Sequence, residues 1–234
     1  MLRVSIVIPT YEEDGLDERL DVLRAHLRAL PYAFEILIVD DSGPENRARA
    51  DAYANRHEDV RVIAGERRGK GAAVKLGVLE STGSVVFTID ADLPVALERI
   101  QEFVERVRSG ADVVVAERPF DRNLANPVRF IASRVLFVAQ KWIVLGDRFH
   151  DTQCGFKAFR GDVARSLARR QIVDGGMYDI EYLLIATREG LRIERVPVTQ
   201  LPSPRPSKIR TLRALASDPR DLARIKLHAL RGRY

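Results

Sequence analysis

The chain has 234 residues, 46% hydrophobic and 30% charged, which is enough apolar material for one large core and too much charge for a fibrous or integral-membrane protein. Its net charge is +5, unevenly spread: from Ser203 to Tyr234 nine lysines and arginines face only Asp218 and Asp221, a balance suited to phosphate, an anionic lipid surface or nucleic acid, or else a solvated helix face. The single cysteine, Cys154, excludes an internal disulfide framework and reads as a buried thiol in a reducing cytosol.

In chain order, Met1-Leu2-Arg3 leads into a strand-like run, Val4 to Ile8, too short for the apolar region of a signal peptide. Pro9 is expected to stop it. Leu16, Leu20, Leu23, Leu27 and Leu30 repeat at helical spacing, which predicts a helix over Leu16 to Leu30. Glu35 to Val39 reads as a second strand, Asn46 to Asn55 as helix, and Val60 to Ala64 as a third strand. Gly71 to Glu80 is predicted helical, Val85 to Ile89 a buried strand, Leu97 to Val107 a helix and Val113 to Val115 a strand. Strands without strict alternation, separated by helices, predict an α/β fold with a parallel sheet covered on both faces. Ligands of such sheets bind beyond the carboxyl ends of the strands.

The pattern then changes. Val128 to Leu145 is the longest apolar stretch, but Arg129, Arg134 and Lys141 interrupt it, so an amphipathic helix is predicted, not a membrane span. Arg129, Ser133 and Gln140 fall in one stripe of that helix. They suit a phosphate clasp or a solvent-facing face. Phe156 to Phe159 is a candidate short strand, Asp179 to Glu189 a helix and Leu191 to Val198 a strand. Leu201 to Pro206 is a proline-punctuated loop, and Thr211 to Leu230 a candidate amphipathic helix.

Asp90-Ala91-Asp92 follows a predicted strand. On an extended segment the two carboxylates would point to one side, where hard oxygen ligands suit Mg²⁺ or Mn²⁺ completed by substrate phosphates. Asp92 could equally cap the next helix. Asp40-Asp41 ends another strand, and there a carboxylate can accept from a ribose hydroxyl or a base N–H, or serve turn chemistry. Gly69-Lys70-Gly71 opens a helix whose N-terminus favours an anion; the surrounding residues fit neither a Walker loop nor a dinucleotide fingerprint. Asp179 and Glu181 are candidates for a general base, or for buried partners of arginines and first-turn helix charges.

Five stretches carry a resemblance: Val7 to Glu13, Ile38 to Ser42, Arg68 to Ala73, Asp90 to Leu93, and Asp151-Thr152-Gln153-Cys154-Gly155-Phe156-Lys157. In this order they resemble family 2 glycosyltransferases of the GT-A fold, and within them the dolichyl- or polyprenyl-phosphate sugar synthases; the last stretch is most similar to the glucosyltransferases. The resemblance covers Val4 to Lys208. It implies a mainly parallel central sheet with helices on both faces. Residues 1–200 would form the transferase domain, with 1–123 holding the nucleotide sugar and 124–200 the acceptor, and 201–234 would be a basic loop and helix.

The implied activity is inverting, metal-dependent transfer of a hexose from UDP-glucose or GDP-mannose to a lipid phosphate, with Mg²⁺ or Mn²⁺ as cofactor. The implied location is cytoplasmic, with peripheral contact to the cytoplasmic face of a membrane and no nucleic-acid partner. Pro9, Tyr11, Glu13, Asp40 and Asp41 would border the nucleoside, with Lys70 and Ala91 completing the donor site. Asp90 and Asp92 would hold the metal and the diphosphate. Arg118, Arg129 and Ser133 would receive the acceptor phosphate. Arg205, Ser207 and Lys208 resemble a mobile lid. The sequence departs from the family at Pro94, where relatives often carry a polar residue. The alternative is a soluble transferase acting on a hydroxyl of a saccharide or small molecule, which would need a base such as Asp179.

Overall fold

The structure is a computed structural model that describes residues 2–118, 149, 151–152, 154–199, 201 and 211–234. Its elements are β1 (Arg3–Thr10), α1 (Leu16–Arg28), β2 (Ala33–Asp40), α2 (Pro44–Ala54), β3 (Val60–Ala64), α3 (Lys70–Glu80), β4 (Val85–Ile89), α4 (Arg99–Arg108), β5 (Val113–Glu117), β6 (Phe156–Arg160), α5 (Gly161–Arg170), α6 (Tyr178–Arg188), β7 (Ile193–Pro197) and α7 (Thr211–Leu230).

The strands form one sheet in the order β3-β2-β1-β4-β6-β5-β7. All neighbours are parallel except β6, which runs antiparallel to both β4 and β5. Side chains alternate across each strand, and the core divides accordingly. Val7, Leu37, Val39, Val86, Val113 and Val115 meet α3, α5, α6 and α7 on one face. Val4, Ile6, Ile8, Ile36, Phe87 and Phe156 meet α1, α2 and α4 on the other. Both faces are therefore covered, and β4 is buried along its whole length.

Local chemistry sets the helices. Leu20, Leu23 and Leu27 form the buried stripe of α1, while Asp17 and Glu18 in its first turn and His26 and Arg28 in its last oppose the helix dipole. Leu30 lies beyond its end. Pro44 begins α2, a position where the missing N–H costs nothing. On α7, Leu222, Ile225 and Ala229 sit in the core beside Ile180 and Leu183, so the basic C-terminal helix is packed into the same body as the sheet.

Several expectations are corrected. Pro9 does not stop β1 but lies inside it, paired in register with Val39 of β2. On the other side β1 pairs with β4 only from Val4 to Val7. At Pro9 that flank has no ladder partner, so a residue without N–H is tolerated. In a sheet of this kind the ligand crevice is expected at the carboxyl edge of these strands. Helix α5, with Val163, Ala164, Leu167 and Ala168 buried, was not among the predicted elements. Asp92 does not cap α4, which begins at Arg99 after Glu98.

Candidate active site

The crevice is walled by the segments following β1, β2, β3, β4 and β5. Backbone strain concentrates there. The non-glycine residues with positive φ among those described are Glu12 at 51°, Arg67 at 55° and Leu93 at 49°, one in each segment after β1, β3 and β4. Such conformations cost on the order of 1–3 kcal/mol and persist only where the surroundings fix them.

At the end of β2, Asp40 and Asp41 diverge. Asp40 is 2% exposed and accepts from Thr10 Oγ1 at 2.8 Å, Ser42 Oγ at 2.6 Å and Arg47 Nε at 3.0 Å. Its oxygens are engaged inside the fold, so it supports the loop and does not face the crevice. Asp41 accepts from the Arg67 backbone N–H at 3.0 Å. Glu12 ties the β1 segment to α2 by accepting from the Gly43 N–H at 2.8 Å and from the Asn46 side chain. Tyr11 stands 46% exposed beside them, the open aromatic surface of this corner. Glu13 is half-buried and reaches Arg19 at 3.4 Å.

The acidic pair after β4 sits on a turn and not on extended backbone as expected. The Leu93 N–H donates to the Asp90 carbonyl at 3.0 Å, and the turn buries Ala91 in the core below. Asp90 nevertheless has a fixed seat. Its N–H donates to the Gly155 carbonyl at 2.9 Å. A Cβ on residue 155 would lie 2.0 Å from Asp90 Oδ2, so only glycine leaves room for that carboxylate. Pro94 offers no side-chain ligand, but its carbonyl accepts from the Leu201 N–H at 2.9 Å, which anchors the start of the proline-rich segment to this turn.

Lys70, the first residue of α3, places Nζ 2.6 Å from Asp90 Oδ1. Burial alone would lower the lysine's pKa, but the charges of Asp90, Asp179 and Asp92 outweigh it and raise the value. The flanking glycines serve close packing within the chain itself. A Cβ at Gly71 would lie 2.7 Å from the Gly175 carbonyl, and Gly69 adopts φ +134° against Asp174. The Ala72 N–H donates to the Asp174 carbonyl at 3.1 Å. This close backbone contact holds the start of α3, and so Lys70, against the acidic turn.

Beneath Asp90 lies a pair that the sequence reading did not single out. Lys157 on β6 is 1% exposed and places Nζ 2.9 Å from Asp179 Oδ1 on α6, while donating to the Cys154 carbonyl at 2.7 Å. Next to it, burial and the charges of Asp179 and Asp90 push the Tyr178 hydroxyl's pKa well up. Glu181 is fully buried and accepts from the Ile172 and Val173 N–H groups at 2.8 and 3.0 Å and from Tyr234 Oη at 2.5 Å. It is a structural carboxylate in the first turn of α6, one of the alternatives its sequence position offered, and its partners are backbone N–H groups and a tyrosine, not an arginine. At the end of β5, Arg118 grips both oxygens of Asp151, at 2.6 and 3.0 Å. Arg129, Ser133, Gln140, Arg205, Ser207 and Lys208 lie outside the described residues.

Two features fit a divalent cation at the acidic turn. An ammonium already stands against Asp90 as a positive group would, and the Gly155 notch holds that carboxylate in place. Among the described residues no cluster of three or more His, Cys, Asp or Glu is present. A cation held by Asp90 and Asp92 would therefore draw its remaining oxygens from substrate and water, the habit of Mg²⁺ and Mn²⁺ in phosphate sites.

The family model for Glycosyl transferase family 2 matches residues 5–167. The chain belongs to glycosyl transferase family 2. Within it, a dolichyl-phosphate beta-glucosyltransferase of Trichomonas vaginalis is 29% identical over 210 residues, covering 83% of this chain and 62% of that protein. An undecaprenyl-phosphate 4-deoxy-4-formamido-L-arabinose transferase of Pseudomonas paraeruginosa is 36% identical over 168 residues, covering 70% of this chain and 49% of that protein. The family 2 chain described here thus spans about half to two thirds of the length of these relatives. A crystal structure of glucosyl-3-phosphoglycerate synthase from Mycobacterium tuberculosis, in complex with Mn²⁺, UDP-glucose and phosphoglyceric acid, superposes with a TM-score of 0.67 at 20% identity, over 97% of this chain and 79% of that one. The fold is GT-A.

Proposed function

We propose that this chain transfers a hexose, with inversion, from a nucleoside-diphosphate sugar to a polyprenyl or dolichyl phosphate. The observation that carries the reading is the acidic turn itself: Asp90 is seated by Gly155 and countered by Lys70 at the mouth of the crevice. Acidic groups repel a diphosphate unless a cation intervenes, so this arrangement makes sense for a donor that arrives with a metal. UDP-glucose and GDP-mannose are the donors proposed, the former favoured by the names of the glucosyl-transferring relatives.

Asp90 and Asp92 would hold Mg²⁺ or Mn²⁺. The ion would supply charge neutralisation at the departing diphosphate. Tyr11 and Asp41 would border the nucleoside, with Pro9 and Glu13 nearby. Arg118 would help receive the acceptor phosphate, together with Arg129 and Ser133; Arg205 and Lys208 would close on the donor.

The acceptor class follows from what the carboxylates are doing. A phosphate acceptor has its second pKa near ~6 and is already an anionic nucleophile at pH 7, so it needs positioning more than a base. Asp179 is 3% exposed and tied to Lys157, and Glu181 is spent on backbone N–H groups. Neither is free to deprotonate a hydroxyl, which disfavours a saccharide acceptor.

Among the described residues no helix is long and apolar enough to cross a membrane. On α7, Leu227 and Leu230 are 52% and 69% exposed, with Arg220, Arg224 and Arg231 exposed around them. This combination suits peripheral contact with an anionic lipid surface.

The test is a thermal-shift panel of UDP- and GDP-sugars with Mn²⁺ or Mg²⁺, followed by transfer to a short polyprenyl phosphate. A bound donor at a hundredfold excess over Kd stabilises by about 2.7 kcal/mol. No shift with any donor, or transfer to sugar hydroxyls alone, would overturn the proposal.

A further inference from the structure

Lys70 has a second consequence, which rests on the donor reading above. Its ammonium lies 2.6 Å from Asp90 Oδ1, inside hydrogen-bond distance, and its side chain remains about a third exposed. A cation that takes Asp90 Oδ1 as a ligand and an ammonium at that distance compete for the same lone pair and repel each other. The lysine's backbone cannot retreat, because Gly69 and Gly71 are pressed against residues 174 and 175. The side chain must therefore swing on its own stem.

The surrounding charges decide where it can go. Asp179, which acts on Lys70 together with Asp90 and Asp92, is already neutralised by Lys157. Asp90, Asp92 and Asp179 against Lys70 and Lys157 leave this cluster a single negative charge. A divalent cation alone reverses its sign; a cation that comes with a diphosphate does not. The displaced ammonium then finds a new anionic partner in the diphosphate.

We propose that Lys70 is the internal counter-ion that couples metal binding to donor binding: it occupies Asp90 when the site holds neither, and it exchanges Asp90 for the donor diphosphate when metal and nucleotide enter together. Lys70 thereby suppresses binding of metal without nucleotide. Such coupling is reciprocal, so the metal tightens the nucleotide by the same factor that the nucleotide tightens the metal.

The experiment measures free Mn²⁺ by electron paramagnetic resonance with the whole chain, alone and with saturating UDP or GDP. Three proteins are compared: wild type, Lys70→Met, which keeps the stem and loses the charge, and Lys70→Arg, which keeps the charge. Wild type is expected to bind Mn²⁺ weakly alone and more tightly with nucleotide. Lys70→Met is expected to bind Mn²⁺ alone on the order of tenfold more tightly than wild type, from loss of one nearby positive charge, with a smaller gain from nucleotide. Lys70→Arg is expected to follow wild type. Melting temperatures close to wild type confirm that each variant is folded. If Lys70→Met binds Mn²⁺ alone no better than wild type, while nucleotide still tightens Mn²⁺ in wild type, the counter-ion role fails and the donor reading survives. If wild type binds no Mn²⁺ even with UDP or GDP, both fail together.

Discussion

Lys157 and Asp179 meet at 2.9 Å with side chains only 1% and 5% exposed. The two come from different secondary structures, β6 and α6, and the contact ties that helix to the strand between β4 and β5. The pair is shielded from water, and Lys157 donates a further hydrogen bond to the Cys154 carbonyl.

Breaking that pair from one side leaves a bare buried charge. Lys157→Met or Asp179→Leu alone is expected to cost about 3–5 kcal/mol in urea melts, whereas the double variant, apolar on both sides, should lose far less than the sum. Additive losses would mean the two groups do not act as a pair.

Asp92→Ala is expected to abolish transfer while melting close to wild type, because Asp92 is half-buried on an edge turn and not in the core. Normal turnover by the folded variant would remove Asp92 from the metal site.

Gly155→Ala tests the seat of Asp90. The added methyl would fall 2.0 Å from Oδ2 and 2.1 Å from Cγ of Asp90, so the carboxylate must shift by an ångström or so. A displacement of that size at a reacting centre costs on the order of a hundredfold in rate. The expected result is that loss in kcat/KM, with far-ultraviolet dichroism unchanged. Unaltered kinetics would mean that the position of Asp90 does not matter.

Cys154 is fully buried, and burial pushes its thiol pKa up to about 11. The native protein should resist iodoacetamide at pH 8, and urea should expose the thiol to rapid alkylation. Because the folded value lies above the unfolded one, this group costs no stability below pH about 8.5, the ordinary thiol value. Stability then falls as pH rises towards about 11, since the unfolded chain loses its proton first. Fast alkylation of the native protein would contradict the burial.

Much of this was legible in the chain. The boundaries of β3 and β4 follow directly from their apolar runs, and α1, up to its last turn, from its leucine spacing, because β4 is buried throughout and α1 buries its leucine stripe. The position of the acidic turn at the end of β4 is likewise readable from its place after an apolar strand. The direction of β6 is not, because alternation along a strand carries no sign. Helix α5 hid its apolar stripe among Asp162, Arg165, Arg169 and Arg170. The Lys157–Asp179 pair depends on partners that only folding brings together, and a lysine in an apolar run gives no hint of one. The same limit applies at Asp40, where three donors from separate segments decide that it is structural.

The reversed strand has a consequence of its own. Val115 of β5 lies directly across from Lys157 of β6, so the polypeptide leaves the sheet and re-enters it one strand's width away. The two ends of the intervening sequence are thus held side by side, and closing a longer span between fixed ends costs entropy only logarithmically. Changes of length between Glu117 and Phe156 are therefore expected to leave the pairing of β3, β2, β1 and β4 in register.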